Sequence, residues 1–151
     1  MKILLNGPLE ELEIIEKNTM VMRLEDYGVK KVLKPSDILI MQEFSKKLHI
    51  SPEIKKYIVE IVTATRKPEE YSLKTGKYIQ WGGSPRACIN LSIAAKATAL
   101  MNGRDFVVPD DIKNVAHEVM RHRIILNYEG RAEGISTDEI ITEILDTIPV
   151  P

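Results

Sequence analysis

The sequence predicts an all-α fold: a bundle of about five or six helices, with at most one short two-stranded β element. Three observations lead there. Prolines stand where helices open, at Pro35, Pro52, Pro85 and Pro109, two of them directly behind Ser51 and Ser84. A missing N–H costs nothing at the first helical position, and a serine before it is a good cap. Apolar residues recur at helical spacing, most cleanly in Ile54, Tyr57, Ile58, Ile61, Val62 and Thr65. Alanines crowd residues 85–102 (Ala87, Ala94, Ala95, Ala97, Ala99), which favours helix and lets neighbouring helices approach closely.

In chain order, Gly7-Pro8 starts a short helix through about Lys17, with Leu9, Leu12, Ile14 and Ile15 as its apolar side. Residues 18–34 are mixed and read as irregular. Pro35 opens a helix carrying Ile40, Met41, Phe44 and Leu48, and Ser51-Pro52-Glu53 opens the next. Residues 67–83 form a long connection, punctuated by Pro68, Gly76 and Gly82-Gly83; connections of this length inside a domain are often functional. Gly103 is the expected stop of the alanine-rich helix, and Arg104–Val108 reads as extended. Pro109-Asp110-Asp111 begins a helix whose carboxylates suit the positive end of the dipole and whose stripe is Ile112, Val115, Ala116, Val119 and Met120. Ile124–Leu126 reads as extended, so the β element is expected between residues near 104–108 and 124–127. Gly130–Gly134 reads as a loop. The last helix runs from about Thr137 to Thr147, with Ile140, Ile141, Ile144 and Leu145 inward.

With 151 residues, 44% hydrophobic and 28% charged, the chain can bury one real core. A formal net charge of −1 gives no global pull toward nucleic acid or an anionic membrane. Cys88, the single cysteine, excludes an internal disulfide and reads as a small core residue. No apolar run is long enough for membrane insertion as a helix, and Met1–Leu5 is too short for a signal peptide, so a cytoplasmic location is expected.

The most informative stretch is Gly82-Gly83-Ser84-Pro85-Arg86-Ala87. Ser84 and Pro85 place Arg86 in the first turn of a helix, where the dipole disfavours a cation. A positive side chain at a positive helix end points to an anion, and phosphate matches both exposed N–H groups and a guanidinium fork.

Other chemistries find little support. Gly76-Lys77 resembles the end of a phosphate-binding loop, but Tyr71 and Tyr78 stand where that motif needs Gly and Ser or Thr. No apolar strand ending in Asp-Glu offers a magnesium site, and His49, His117 and His122 lack partners at metal-ligand spacing. No serine or cysteine has the flanking glycines of a nucleophile elbow. Arg121, His122, Arg123 and Arg131 read as ordinary charge at a helix end or as an oligomer contact. Tyr71, Tyr78 and Trp81 line the approach to Gly82-Gly83, either packing over the loop or touching an adenine or a partner chain.

Taken in order, these words resemble a known family. His49-Ile50-Ser51, Tyr57-Ile58-Val59, Ala64-Thr65-Arg66, Gly83-Ser84-Pro85-Arg86-Ala87, Ala94-Ala95-Lys96-Ala97, Gly103–Val107, Pro109-Asp110-Asp111 and His122-Arg123-Ile124 are similar to the C-terminal lid domain of MoxR-type AAA+ ATPases. The resemblance implies that residues 1–20 leave a missing AAA+ core and that residues 21–151 are the lid. It makes Arg86 the sensor 2 arginine, supported by Gly83, Ser84 and Pro85, touching the terminal phosphate of ATP in its own or a neighbouring subunit. The parent would use ATP and magnesium, form a homo-oligomeric ring (a hexamer by analogy), and work with a von Willebrand factor A-domain protein to mature other complexes. Without the phosphate-binding loop and acidic magnesium site, this chain alone is expected to be inactive, with no tightly bound cofactor and no metal site. A stand-alone helical adaptor with a lid-like fold is the alternative; a nucleic-acid binder is disfavoured by the charge. Two departures stand out. Val108 replaces the usual threonine cap, a loss of about 1 kcal/mol if nothing substitutes. The loop Lys67–Trp81 is longer and more polar than the resemblance leads one to expect.

Overall fold

The computed structural model describes residues 7–18 and 28–151. Residues 1–6 and most of the stretch expected to be irregular, 19–27, lie outside the described residues. The α-helices are α1 (Pro8–Asn18), α2 (Pro35–Lys47), α3 (Pro52–Ala64), α4 (Pro85–Met101), α5 (Pro109–Met120), α6 (Tyr128–Ala132) and α7 (Thr137–Thr147). Two strands, β1 (Ile79–Trp81) and β2 (Ile125–Leu126), form one antiparallel pair. The all-α prediction holds, and the extra helix is α6, where a Gly130–Gly134 loop was expected. Asn127 explains it: its side-chain oxygen accepts the Gly130 N–H at 2.9 Å, an N-cap that opens one short turn.

The chain divides into two compact units after Ile40. The first contains α1 and the opening of α2. Leu9, Leu12, Ile14 and Ile15 of α1 are all exposed. Asp37 opens α2 by accepting the Lys34 N–H at 2.8 Å. α2 buries none of its residues; Ile40 in the first unit, and Met41 and Phe44 in the second, are exposed, and only Leu48 beyond the helix is buried.

The second unit, Met41–Pro151, holds the hydrophobic core. α3 contributes Tyr57, Ile58, Ile61 and Val62, and α7 contributes Ile140, Ile141 and Ile144. α4 buries Ala87, Leu91, Ala95 and Ala99, a stripe at four-residue spacing that is mostly alanine. α5 sets Ile112, Ala116 and Met120 into the same core, so α4 and α5 pack along small side chains. Val115 and Val119, expected in that stripe, are only partly buried. Each fully buried isoleucine contributes roughly 1.5–3 kcal/mol.

Gly103 ends α4 at φ +70°, the left-handed conformation that glycine adopts without strain, and Arg104 N–H reaches back to the Ala99 carbonyl at 3.0 Å. The β element differs from expectation. Residues 104–108 do not pair with 124–127; His49 takes that place, with its N–H on the Asp105 carbonyl at 3.0 Å and its carbonyl accepting the Val107 N–H at 3.1 Å. The partner of Ile125–Leu126 is instead Ile79–Trp81, in register Ile79 to Leu126 and Trp81 to Ile125. Three residues are too few for alternation to be read, and the pairing is secured by Asn127, whose backbone N–H donates to the Tyr78 carbonyl at 2.9 Å.

Candidate functional site

The stretch Gly82–Ala87 sits where α3 ends and α4 begins. Thr65, fully buried, follows the last residue of α3. Its hydroxyl donates to the Val62 carbonyl at 2.6 Å and accepts the Gly83 N–H at 2.8 Å. Gly82 lies so close that a Cβ there would stand 2.2 Å from the Thr65 carbonyl oxygen. No side chain fits, which accounts for a glycine without any need for positive φ. The Arg66 guanidinium donates to the Gly83 carbonyl and to the Thr63 hydroxyl, both at 3.3 Å.

Beyond this joint the chain runs extended through Ser84 (φ −75°, ψ 170°) and enters α4 at Pro85. Ser84 occupies the N-cap position as expected, but its hydroxyl makes no capping bond, a correction to the sequence reading. The first turn is instead tightened by the Ala87 N–H on the Ser84 carbonyl at 2.8 Å. Ala87 is buried and pins the turn to the core, while Arg86 is exposed and has no partner among the described residues. α1, α2, α3, α5, α6 and α7 each carry an acidic residue in the first turn; α4 carries none, and has Arg86 there.

The long connection before the site is fastened at several points. Glu143 of α7 accepts the N–H of Lys74 at 2.6 Å, the N–H of Thr75 at 2.9 Å and the Thr75 hydroxyl. Partial burial pushes the Glu143 pKa up, but these hydrogen bonds outweigh it and hold the carboxyl below its ordinary range. The three aromatics part company. Tyr78 is buried, with its hydroxyl on Glu133 and Lys77 lying 4.6 Å over its ring. Tyr71 is partly buried against the core. Trp81 is 64% exposed, beside its cross-strand neighbour Ile125, which is also exposed.

The missing cap at Val108 is replaced. Asp111, nearly fully buried, accepts the Val108 N–H at 2.9 Å and a two-pronged pair from Arg104. Burial pushes the Asp111 pKa up, and the Arg104 and Val108 hydrogen bonds more than reverse it. Burial also pushes the half-buried Cys88 thiol up, with Arg66 opposing. The basic residues near 121–131 do not form one free patch: Arg121 binds Asp138 at 2.7 Å and Arg123 donates to the Val119 carbonyl at 2.9 Å. His117 is paired with the Thr142 hydroxyl at 3.1 Å. Among the described residues no cluster of three or more His, Cys, Asp or Glu side chains could hold a metal.

What sequence reasoning missed is the Thr65–Gly83 joint. By spacing, Thr65 is one more position in the stripe of α3. A hydrogen bond spanning 18 residues leaves no local signal.

Residues 73–144 match the AAA lid domain family. Chaperone MoxR1 of Mycobacterium tuberculosis is 36% identical over 146 residues, covering 96% of this chain and 38% of that protein. Protein MoxR of Paracoccus denitrificans is 36% identical over 110 residues, covering 68% of this chain and 32% of that protein. A crystal structure of a candidate ATPase from Cytophaga hutchinsonii superimposes with a TM-score of 0.80 at 43% identity, covering 99% of this chain and 45% of that one. Fold and family match together define an AAA lid domain. The chain belongs with the MoxR-type AAA+ proteins. It spans less than half the length of these relatives.

Proposed function

We propose that this chain is the lid of a MoxR-type AAA+ ATPase and that Arg86 is its sensor 2 arginine, contacting the terminal phosphate of ATP. The observation that carries this reading is Arg86 itself, an exposed guanidinium, unpartnered among the described residues, in the first turn of a 17-residue helix without an acidic residue there. Such a group is suited to a phosphate oxygen, and the uncommitted Ser84 hydroxyl beside it adds a donor. Gly83 and Pro85 set its position. ATP bound elsewhere in the protein supplies the phosphoryl group; this chain's part is to bring a cation to it and to register its loss.

The wider reading follows the relatives. Residues 1–20 leave a nucleotide-binding core and residues 21–151 form the lid. The whole protein is a homo-oligomeric ring that uses ATP and magnesium for chaperone-like maturation of partner complexes, together with a von Willebrand factor A-domain protein. The name Chaperone MoxR1 supports the chaperone-like part. No described helix is long and apolar enough to cross a membrane.

The test is ATP turnover by the full-length protein. Arg86→Ala should lower kcat on the order of 100-fold, the usual effect of removing one donor aimed at developing charge. Wild-type turnover in that variant rejects Arg86 as a phosphate sensor. The adaptor reading is favoured by one observation, the exposed Ile38 and Leu39 in the opening of α2. It requires a partner whose binding does not respond to nucleotide.

A further inference from the structure

We propose that Thr65 is the positioning residue that aims Arg86. The inference rests on the reading of Arg86 as a phosphate sensor, and adds to it the group that gives that arginine a fixed place.

A cation on a long side chain senses a phosphate well only if its helix enters from a fixed direction. Three contacts set that direction, and all run through the end of α3. The Thr65 hydroxyl uses both its capacities, donating to Val62 and accepting from Gly83, so its rotor has one position. The Gly82 backbone is pressed against the Thr65 carbonyl, leaving no room for a side chain. Arg66 holds the Gly83 carbonyl from the exposed side. From Gly83 only Ser84 and Pro85 intervene before Arg86. Ser84 is extended and the proline ring fixes φ, so orientation set at Gly83 passes directly into the first turn of α4.

A buried threonine at a helix end often bonds back to a carbonyl in its own last turn, which is purely local. Thr65 does this and also reaches across to Gly83. Gly83 is buried, so its N–H has no water to replace a lost acceptor. Thr65→Val keeps the shape and removes the hydroxyl, and with it both the bond to Val62 and the acceptor of the Gly83 N–H.

The experiment is a double-mutant cycle on the full-length protein, reading kcat and KM for ATP. Thr65→Val alone should lower kcat about 10-fold while KM changes less, as a misplaced group does. Thr65→Ser, which keeps the hydroxyl, should stay within about 2-fold of wild type. In an Arg86→Ala background, Thr65→Val should change kcat less than about 2-fold, because its effect runs through the arginine. Ile144→Val, a buried change on α7 that touches none of the hydrogen bonds at the joint, shows what lost stability alone does; it should leave kcat unchanged. Should Thr65→Val fail to fold, Arg66→Ala on an exposed side chain takes its place, with a smaller loss that also vanishes without Arg86. Equal losses with and without Arg86, or unchanged kcat in Thr65→Val, overturn the proposal. Wild-type turnover in Arg86→Ala removes the reading beneath it, and that single variant shows which of the two has failed.

Discussion

The Arg104 guanidinium closes on the buried carboxylate of Asp111 through two hydrogen bonds, at 2.6 and 2.7 Å. The same carboxylate accepts the Val108 N–H at 2.9 Å, so one side chain ties the loop after α4 to the start of α5. This explains how the helix at Pro109 opens without a capping hydroxyl. Asp111→Ala should therefore cost about 2–3 kcal/mol, more than an ordinary cap, because charged hydrogen bonds are lost together with it. Arg104→Ala, which leaves a buried carboxylate unpaired, should cost at least as much. Urea unfolding of both variants checks the pair; a loss within experimental error in either would remove its role.

Acid should weaken the fold through Asp111 and Glu143. Both carboxyls have pKa values held below their ordinary ones, 3.8 for Asp and 4.5 for Glu. In the window between the folded and ordinary values the unfolded chain binds more protons, so falling pH favours unfolding. Their contribution is fully present above the ordinary values and is lost as pH falls through the lowered, folded ones. Melting temperature measured between pH 7 and pH 3 should drop most steeply below about pH 4.5. Glu143→Gln should flatten that drop, and an unchanged slope would show that the Thr75 clamp is idle.

Gly82→Ala tests the close approach at the joint. A Cβ 2.2 Å from a backbone carbonyl oxygen cannot be relieved by rotating a side chain. The variant should lose about 1–3 kcal/mol, the range for forced overpacking. A melting temperature equal to that of wild type would mean that α3 and the loop can separate freely.

Core and surface should diverge. Ile140→Ala removes a fully buried side chain and should cost about 2–5 kcal/mol. Phe44→Ala removes an aromatic that is 58% exposed. In the isolated chain it should change stability by less than about 0.5 kcal/mol. A large loss for Phe44→Ala would show that α2 is covered in solution.

Arg86→Glu should separate stability from function. A carboxylate suits the positive end of α4, where the native arginine is disfavoured, so the melting temperature of the chain should rise slightly. Turnover by the full-length protein should fall at least as far as in Arg86→Ala. A lower melting temperature would mean that Arg86 has a structural partner within the folded chain.

Local chemistry carried most of the fold in advance. Pro52, Pro85 and Pro109 open helices where a missing N–H costs nothing, and Gly103 ends one where φ is positive. Helical spacing picked out Ile54–Val62 and Ile140–Leu145 because a one-sided core imposes that period on the chain itself. The placement of Arg86 in a first turn was legible for the same reason. The sequence by itself thus determined six of the seven α-helices, the openings at their prolines and the first-turn place of Arg86, all of which depend on neighbours within a turn or two, while the short helix α6 escaped it. Tertiary structure alone decided that β2 pairs with β1, that Asp111 is buried under Arg104, and that Thr65 receives Gly83. Each joins residues distant in sequence or depends on what else is packed nearby. Such contacts have no period, and only the closed core brings their partners within hydrogen-bonding distance.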